Sequence, residues 1–144
     1  MGVKTALKND EYKITGKADD VYSDFNHTFL PHPNTGQISR KTNVDAVKLA
    51  LRNLILTNKY ERLRNPAFGS NIRRFLFETY DGFIEEELKS EITRTIETFE
   101  PRVRLIEVDV STSPDDHSIY INIEFAVISS QIADNLELVL YRVR

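Results

Sequence analysis

A single helical stripe is the strongest pattern in the chain. Ile84, Leu88, Ile92, Ile96 and Phe99 recur at three- and four-residue spacing among positions that are mostly charged or Thr, which predicts an amphipathic helix over roughly 83–99. Glu85, Glu86 and Glu87 fall in its first turn, where the positive end of the helix dipole favours carboxylates. Upstream, Val44, Val47, Leu51, Leu54 and Ile55 carry the same spacing behind Thr42-x-x-Asp45, a capping-box pattern, so a helix is expected to open at Thr42 and end near Thr57. Between the two, Pro66 and Gly69 interrupt a basic stretch. Ser70 is then expected to cap a short helix from Asn71 to about Thr79, with Ile72, Phe75 and Leu76 on one face and Asp81-Gly82 breaking it.

Pro101 ends the long helix, and the period changes from helical to alternating. Ile106, Val108 and Val110 alternate with Glu107, Asp109 and Ser111; Pro114-Asp115-Asp116 supplies turn residues; Ile119, Ile121, Ile123, Phe125 and Val127 alternate beyond them. This predicts a hairpin with one buried face, followed by a less regular third run from Leu136 to Val143. The sum is an α+β domain with N-terminal helices packed on a C-terminal antiparallel sheet of at least three strands. Ahead of the helices, Asp24, Asn26, Pro31, Pro33 and Asn34-Thr35-Gly36 mark a loop, with Phe25, Phe29 and Leu30 expected to pin it to the core. Residues 1–20 show no hydrophobic period and read as a polar extension, leaving 21–144 as a single domain.

Composition changes this picture mainly by exclusion. With 144 residues and a net charge of −3, one domain with an ordinary core is expected. The absence of cysteine removes disulfides, thiolate nucleophiles and thiolate metal sites. No run approaches the ~18 apolar residues of a membrane span, and no apolar signal core opens the chain, so an aqueous compartment is expected. The small net charge conceals opposed segments: Lys59, Arg62, Arg64, Arg73 and Arg74 stand against Glu61, whereas residues 78–91 carry six acids against Lys89. An acidic protein partner or pairing within the chain accounts for this better than nucleic acid, since the chain is acidic overall and lacks a groove-reading module.

Catalytic chemistry finds little footing. Ser70 lies where a cap is expected rather than in a nucleophile elbow. His27 and His32, with Asp24 nearby, sit in a Pro-rich loop without metal-ligand spacing, so no metal and no cofactor is expected. Glu61 and Glu100 are the carboxylates in unusual contexts, but Arg62 and Arg102 follow them directly, and a neighbouring cation opposes the shift a glycosidase acid needs. Glu100-Pro101-Arg102 is different in kind: a forked guanidinium beside a rigid Pro suits a protein–protein anchor.

Several short motifs in fixed order give the chain a family likeness. Asp24-Phe25, the loop at 31–36, Asn53-Leu-Ile-Leu-Thr57, Tyr60-Glu61-Arg62, Asn65-Pro66-Ala67-Phe68-Gly69-Ser70, Leu76-Phe77-Glu78, Glu100-Pro101-Arg102 and the closing Tyr141-Arg142-Val-Arg resemble the baseplate wedge proteins of contractile phage tails, which have a similar component in type VI secretion baseplates. Where that family more often has Gly-Glu-Arg followed by Pro-Phe, this chain has Tyr60 and Leu63. The resemblance implies a structural protein of the virion tail baseplate, made in the host cytoplasm, with a fold like the strand-exchange domain of the tail sheath. It implies that Glu100, Pro101 and Arg102 contact the helical core bundle of larger wedge subunits, and that the protein templates the first sheath ring. Tyr60, Glu61, Arg62, Pro66, Phe68 and Gly69 are then partner-binding or structural, and Leu136, Leu138, Leu140, Tyr141 and Arg142 are candidates for strand addition by the sheath protein. Tube or hub proteins are further expected partners, and nucleic acid, membrane and small-molecule substrates are not. Some relatives are labelled with a lysozyme activity, which makes a peptidoglycan hydrolase one alternative reading; a baseplate component of a type VI secretion system is the other.

Overall fold

The alternation of Ile119, Ile121, Ile123, Phe125 and Val127 places all five on the buried face of one strand, the centre of a three-stranded antiparallel sheet. The structure is a computed structural model, and it describes residues 21–31, 33–78, 82–113, 115 and 117–142. The polar extension assigned to 1–20 therefore lies outside the described residues, as do His32, Asp81, Pro114, Asp116 and the last two residues. The elements run β1 (Ser23–Phe25), β2 (Arg40–Thr42), α1 (Asn43–Leu56), α2 (Ile72–Phe75), α3 (Ile84–Phe99), β3 (Val103–Ser113), β4 (Ser118–Val127) and β5 (Ala133–Tyr141). β1 and β2 form a small antiparallel pair, and the larger sheet has the order β3-β4-β5. One apolar cluster joins Val47, Leu51 and Ile55 of α1, Leu88, Ile92 and Ile96 of α3, and the inward residues of β4 with Val108, Leu136 and Leu138. The class is α+β, as the periodicities predict.

Four local expectations are corrected. In β3, Ile106 is 55% exposed rather than inward, because a bulge between Leu105 and Glu107 inserts one unpaired residue and reverses the alternation. Val103 and Leu105 face the core before the bulge, Val108 and Val110 after it. Phe25, Phe29 and Leu30 are exposed, since the two-stranded β1–β2 pair covers too little surface to bury them; Tyr22 packs against the core instead. Thr42 is the N-cap of α1 but makes no side-chain cap bond. The start of α1 is held by Asn43, whose N–H donates to the Tyr22 carbonyl at 2.7 Å and whose Oδ1 accepts from Val21 N–H at 3.0 Å. Finally, α2 spans only Ile72–Phe75 and its N-cap is Asn71, because Ser70 is committed elsewhere: its hydroxyl, fully buried, donates to the Ile55 carbonyl at 2.6 Å.

Candidate functional site

Pro101 cannot continue α3, and the chain turns there into β3. The turn is held from both sides. Glu100 N–H donates to the Ile96 carbonyl at 2.9 Å, Val103 N–H to the Glu100 carbonyl at 3.2 Å, and Ile128 N–H to the Arg102 carbonyl at 3.0 Å. With the backbone fixed, the flanking side chains meet each other across Pro101. Arg102 Nε and Nη2 donate to the two Glu100 carboxylate oxygens at 2.6 and 2.7 Å, a forked bridge in which Glu100 is only 6% exposed. These hydrogen bonds raise the affinity of Arg102 for its proton above the ordinary arginine value, against the opposing effect of partial burial. The guanidinium also lies over the Tyr22 ring, 5.2 Å from its centroid.

The loop between α1 and α2 abuts this corner through one aromatic contact. Phe68 meets Phe99 edge to face at 5.4 Å between centroids, and the Arg62 guanidinium lies over the Phe68 ring at 3.9 Å from its centroid. The neck of the loop is closed by Ser70 N–H donating to the Thr57 carbonyl at 2.8 Å. Gly69 makes that closure possible: its φ is +108°, and a Cβ there would collide with the Thr57 carbonyl group. Inside the loop, Tyr60 N–H donates to the Pro66 carbonyl at 2.8 Å, and the Glu61 carboxylate accepts from Asn58 N–H and Nδ2 at 3.0 and 2.8 Å. Tyr60 itself has φ +71°, so the backbone takes the left-handed conformation that a Gly would adopt without strain. A cleft of about 290 Å³ separates the loop from α3, with Tyr60, Pro66, Thr98 and Phe99 among its walls. Beside it, Glu91 accepts from Lys59 at 2.5 Å and from Arg94 at 2.7 Å. Burial pushes the Glu91 carboxyl up, but the hydrogen bonds and charges of Lys59 and Arg94 together carry it below its ordinary value.

The structure thus gathers Arg62, Phe68, Glu100 and Arg102, with Gly69 and Glu61 shaping the loop. It separates them from the C-terminal candidates. Leu136 and Leu138 of β5 are buried in the core, Leu140 is partly buried, and Tyr141 is 60% exposed. Arg142 lies over the Phe77 ring at 5.4 Å. Among the described residues β5 is an edge strand, so what it can present to another chain is its backbone rather than its leucine side chains. Sequence reasoning missed the Tyr22 ring under Arg102 and the pairing of Phe99 with Phe68; neither gave a local signal because the partners lie far away along the chain. Among the described residues no group of three or more His, Asp or Glu side chains can hold a metal, and no helix is long and apolar enough to cross a membrane.

Residues 41–131, from β2 through β4, match the family described as baseplate wedge protein gp25. The baseplate wedge protein gp25 of Enterobacteria phage T4 is 28% identical over 93 residues, which cover 65% of this chain and 70% of that protein. Among solved structures, a protein of Geobacter sulfurreducens described as a tail lysozyme has a similar fold, with a TM-score of 0.61 at 24% identity, over 68% of this chain and 89% of that one. A chain of the anti-feeding prophage baseplate follows, with a TM-score of 0.58 at 21% identity over 85% of this chain and 88% of that one. A chain of the type VI secretion baseplate gives a TM-score of 0.59 at 13% identity, over 68% and 92%.

Proposed function

The chain belongs to the family of baseplate wedge protein gp25, and from that premise we propose that it is a structural subunit of a contractile phage tail baseplate. The match over 41–131 carries this reading, because it spans α1, the braced loop, α3 and the corner at Pro101. In this reading the corner contacts the helical core bundle of the other wedge subunits. Arg102 is the contacting group, Pro101 fixes its direction, and Glu100 positions it. The forked bridge supports that division of labour: Glu100 is buried, whereas the Arg102 side chain keeps about a third of its surface in solvent and has donors left over. Tyr60, Glu61, Arg62, Pro66, Phe68 and Gly69 extend the contact or support it.

The three-stranded sheet has two edge strands, and an arm of the tail sheath protein can add to the β5 edge through main-chain hydrogen bonds, so that this subunit templates the first sheath ring. On this view the fold is that of the sheath's strand-exchange domain, residues 21–144 form one unit with 1–20 as a polar extension, and tube or hub proteins are further neighbours. The protein is made in the host cytoplasm and acts in the tail baseplate.

The fold shared with a protein described as a tail lysozyme raises a hydrolase as the second reading. Its acid would have to be Glu100 or Glu61. Both oxygens of Glu100 are engaged by Arg102, and both oxygens of Glu61 accept from Asn58, so neither carboxylate is poised toward a leaving group. The non-enzymatic role is therefore preferred. The experiment is co-purification of Arg102→Ala with the wedge subunits encoded alongside it. Weakened wedge binding by a folded variant is the expected result, and wild-type binding would remove the corner from the contact. Muramidase turnover by the purified protein that vanishes in Glu100→Gln or Glu61→Gln would establish the hydrolase instead.

A further inference from the structure

The tip of the loop between α1 and α2 is built to present apolar side chains to solvent. Leu63 is 99% exposed and Tyr60 82%, three residues apart in a segment that contributes neither side chain to the core. Isolated exposed apolar residues are ordinary on flexible loops, but this loop is braced at every level. Its neck is closed by the Ser70–Thr57 hydrogen bond and the buried Ser70 hydroxyl. Its interior is tied by Tyr60 to Pro66, Asn58 to Glu61, Asn65 to Arg62 and Phe68 to Asn65. Its flank is stacked through Arg62, Phe68 and Phe99. A rigid display of this kind removes the ordering cost that normally opposes loop-mediated binding.

The flanking charges identify what fits it. Leu63 stands between Arg62 and Arg64, and neither guanidinium has a carboxylate partner among the described residues, whereas Lys59 and Arg74 of the same basic stretch are paired with Glu91 and Glu78. We propose that Leu63, with the exposed Tyr60 of the same loop, is an anchor that inserts into an apolar socket rimmed by carboxylates on a neighbouring protein subunit, Arg62 and Arg64 engaging the rim. A fully exposed leucine between two arginines without carboxylate partners, one of them held in place by its stack on Phe68, is complementary to a socket of that chemistry, with an apolar centre and a polar rim. The inference rests on the baseplate reading and names the partner chemistry of the loop that abuts the Pro101 corner through Phe68 and Phe99.

Hydroxyl-radical footprinting tests it, comparing side-chain oxidation in the isolated chain with that in purified tail particles. Tyr60 and Leu63 are expected to be protected several-fold in the particles. If the chain is found in the particles with both side chains oxidised at the free rate, the anchor is overturned and the baseplate reading stands; if the chain is absent from the particles, both fall. A parallel arm uses Leu63→Asp, which should shift Tm by no more than about 2 °C because the side chain packs against nothing. Its incorporation into particles should fall about tenfold or more, as truncation of a buried anchor requires. Incorporation at the wild-type level would overturn the anchor.

Discussion

Glu100 and Arg102 close a two-point bridge around Pro101, one partner buried and the other about a third exposed. The asymmetry decides what each substitution does. Arg102→Ala leaves a buried carboxylate without its cation, so the domain should stay folded but lose about 1–3 kcal/mol, less than a fully buried pair because water reaches the vacated site. Adding Glu100→Gln should recover part of that loss, a coupling that a double-mutant cycle in denaturant reads directly. An Arg102→Ala variant as stable as wild type would mean that the bridge contributes nothing to the fold.

Gly69 and Gly36 separate two costs that are usually confounded. Both have positive φ, but nothing lies within 4 Å of a Cβ built on Gly36, whereas one on Gly69 meets the backbone of Thr57 and Asn58. Gly36→Ala should therefore cost only about 1 kcal/mol, the conformational penalty alone. Gly69→Ala adds displacement of the loop neck, for a total of roughly 2–4 kcal/mol, and should loosen the Ser70–Thr57 closure. Equal denaturation midpoints for the two variants would contradict this account.

Where the pattern along the chain is set by one uninterrupted element, the sequence is sufficient. The stripe from Ile84 to Ile96 and the alternation from Ile119 to Val127 are buried as the periods require. The failures have a common origin in events that periodicity does not register. One extra residue at the Leu105–Glu107 bulge turns Ile106 outward, and a hydrogen bond to Ile55, fifteen positions away, takes the Ser70 hydroxyl from its expected cap. The candidate surface shows the same division. Glu100-Pro101-Arg102 was legible as a rigid corner because Pro acts locally, whereas the Arg62–Phe68–Phe99 stack and the Tyr22 platform join segments that only tertiary structure brings together.

Leu136 and Leu138 change how the strand-addition idea can be tested. Because both belong to the core, truncation from Leu136 should abolish the cooperative thermal transition rather than selectively block sheath assembly. Hydrogen exchange on intact baseplates is the informative measurement. Adding purified sheath protein should slow exchange at β5 amides that face away from β4, and unchanged exchange along 133–141 would exclude addition at this edge.

Glu91 sets a pH dependence whose sign follows from its depressed pKa. The folded state holds the carboxylate ionised to lower pH than the unfolded chain, whose ordinary value is 4.5. Its contribution is therefore complete above the unfolded value and disappears as pH falls through the folded one. Glu91→Gln should lower Tm at neutral pH and flatten the acid limb below pH 4.5. Parallel Tm–pH curves for variant and wild type would show that the Lys59–Glu91–Arg94 cluster is not linked to folding.

Tyr60 presents the opposite case, a residue whose removal should stabilise. Its φ of +71° costs a non-glycine residue about 1–2 kcal/mol, and its side chain is too exposed to repay that by burial. Gly would take the same conformation freely but lose about 0.5–1 kcal/mol through the greater freedom of the unfolded chain. Tyr60→Gly should therefore raise stability by up to about 1 kcal/mol, with the N–H to Pro66 bond intact. Under the anchor proposal the same variant should enter particles less efficiently than wild type, since the side chain that strains the loop is the one the partner covers. A Tyr60→Gly protein that is less stable would show that the ring packs in a way the exposure does not reveal. One that is more stable and equally well incorporated would confine the contact to Leu63 and its flanking arginines.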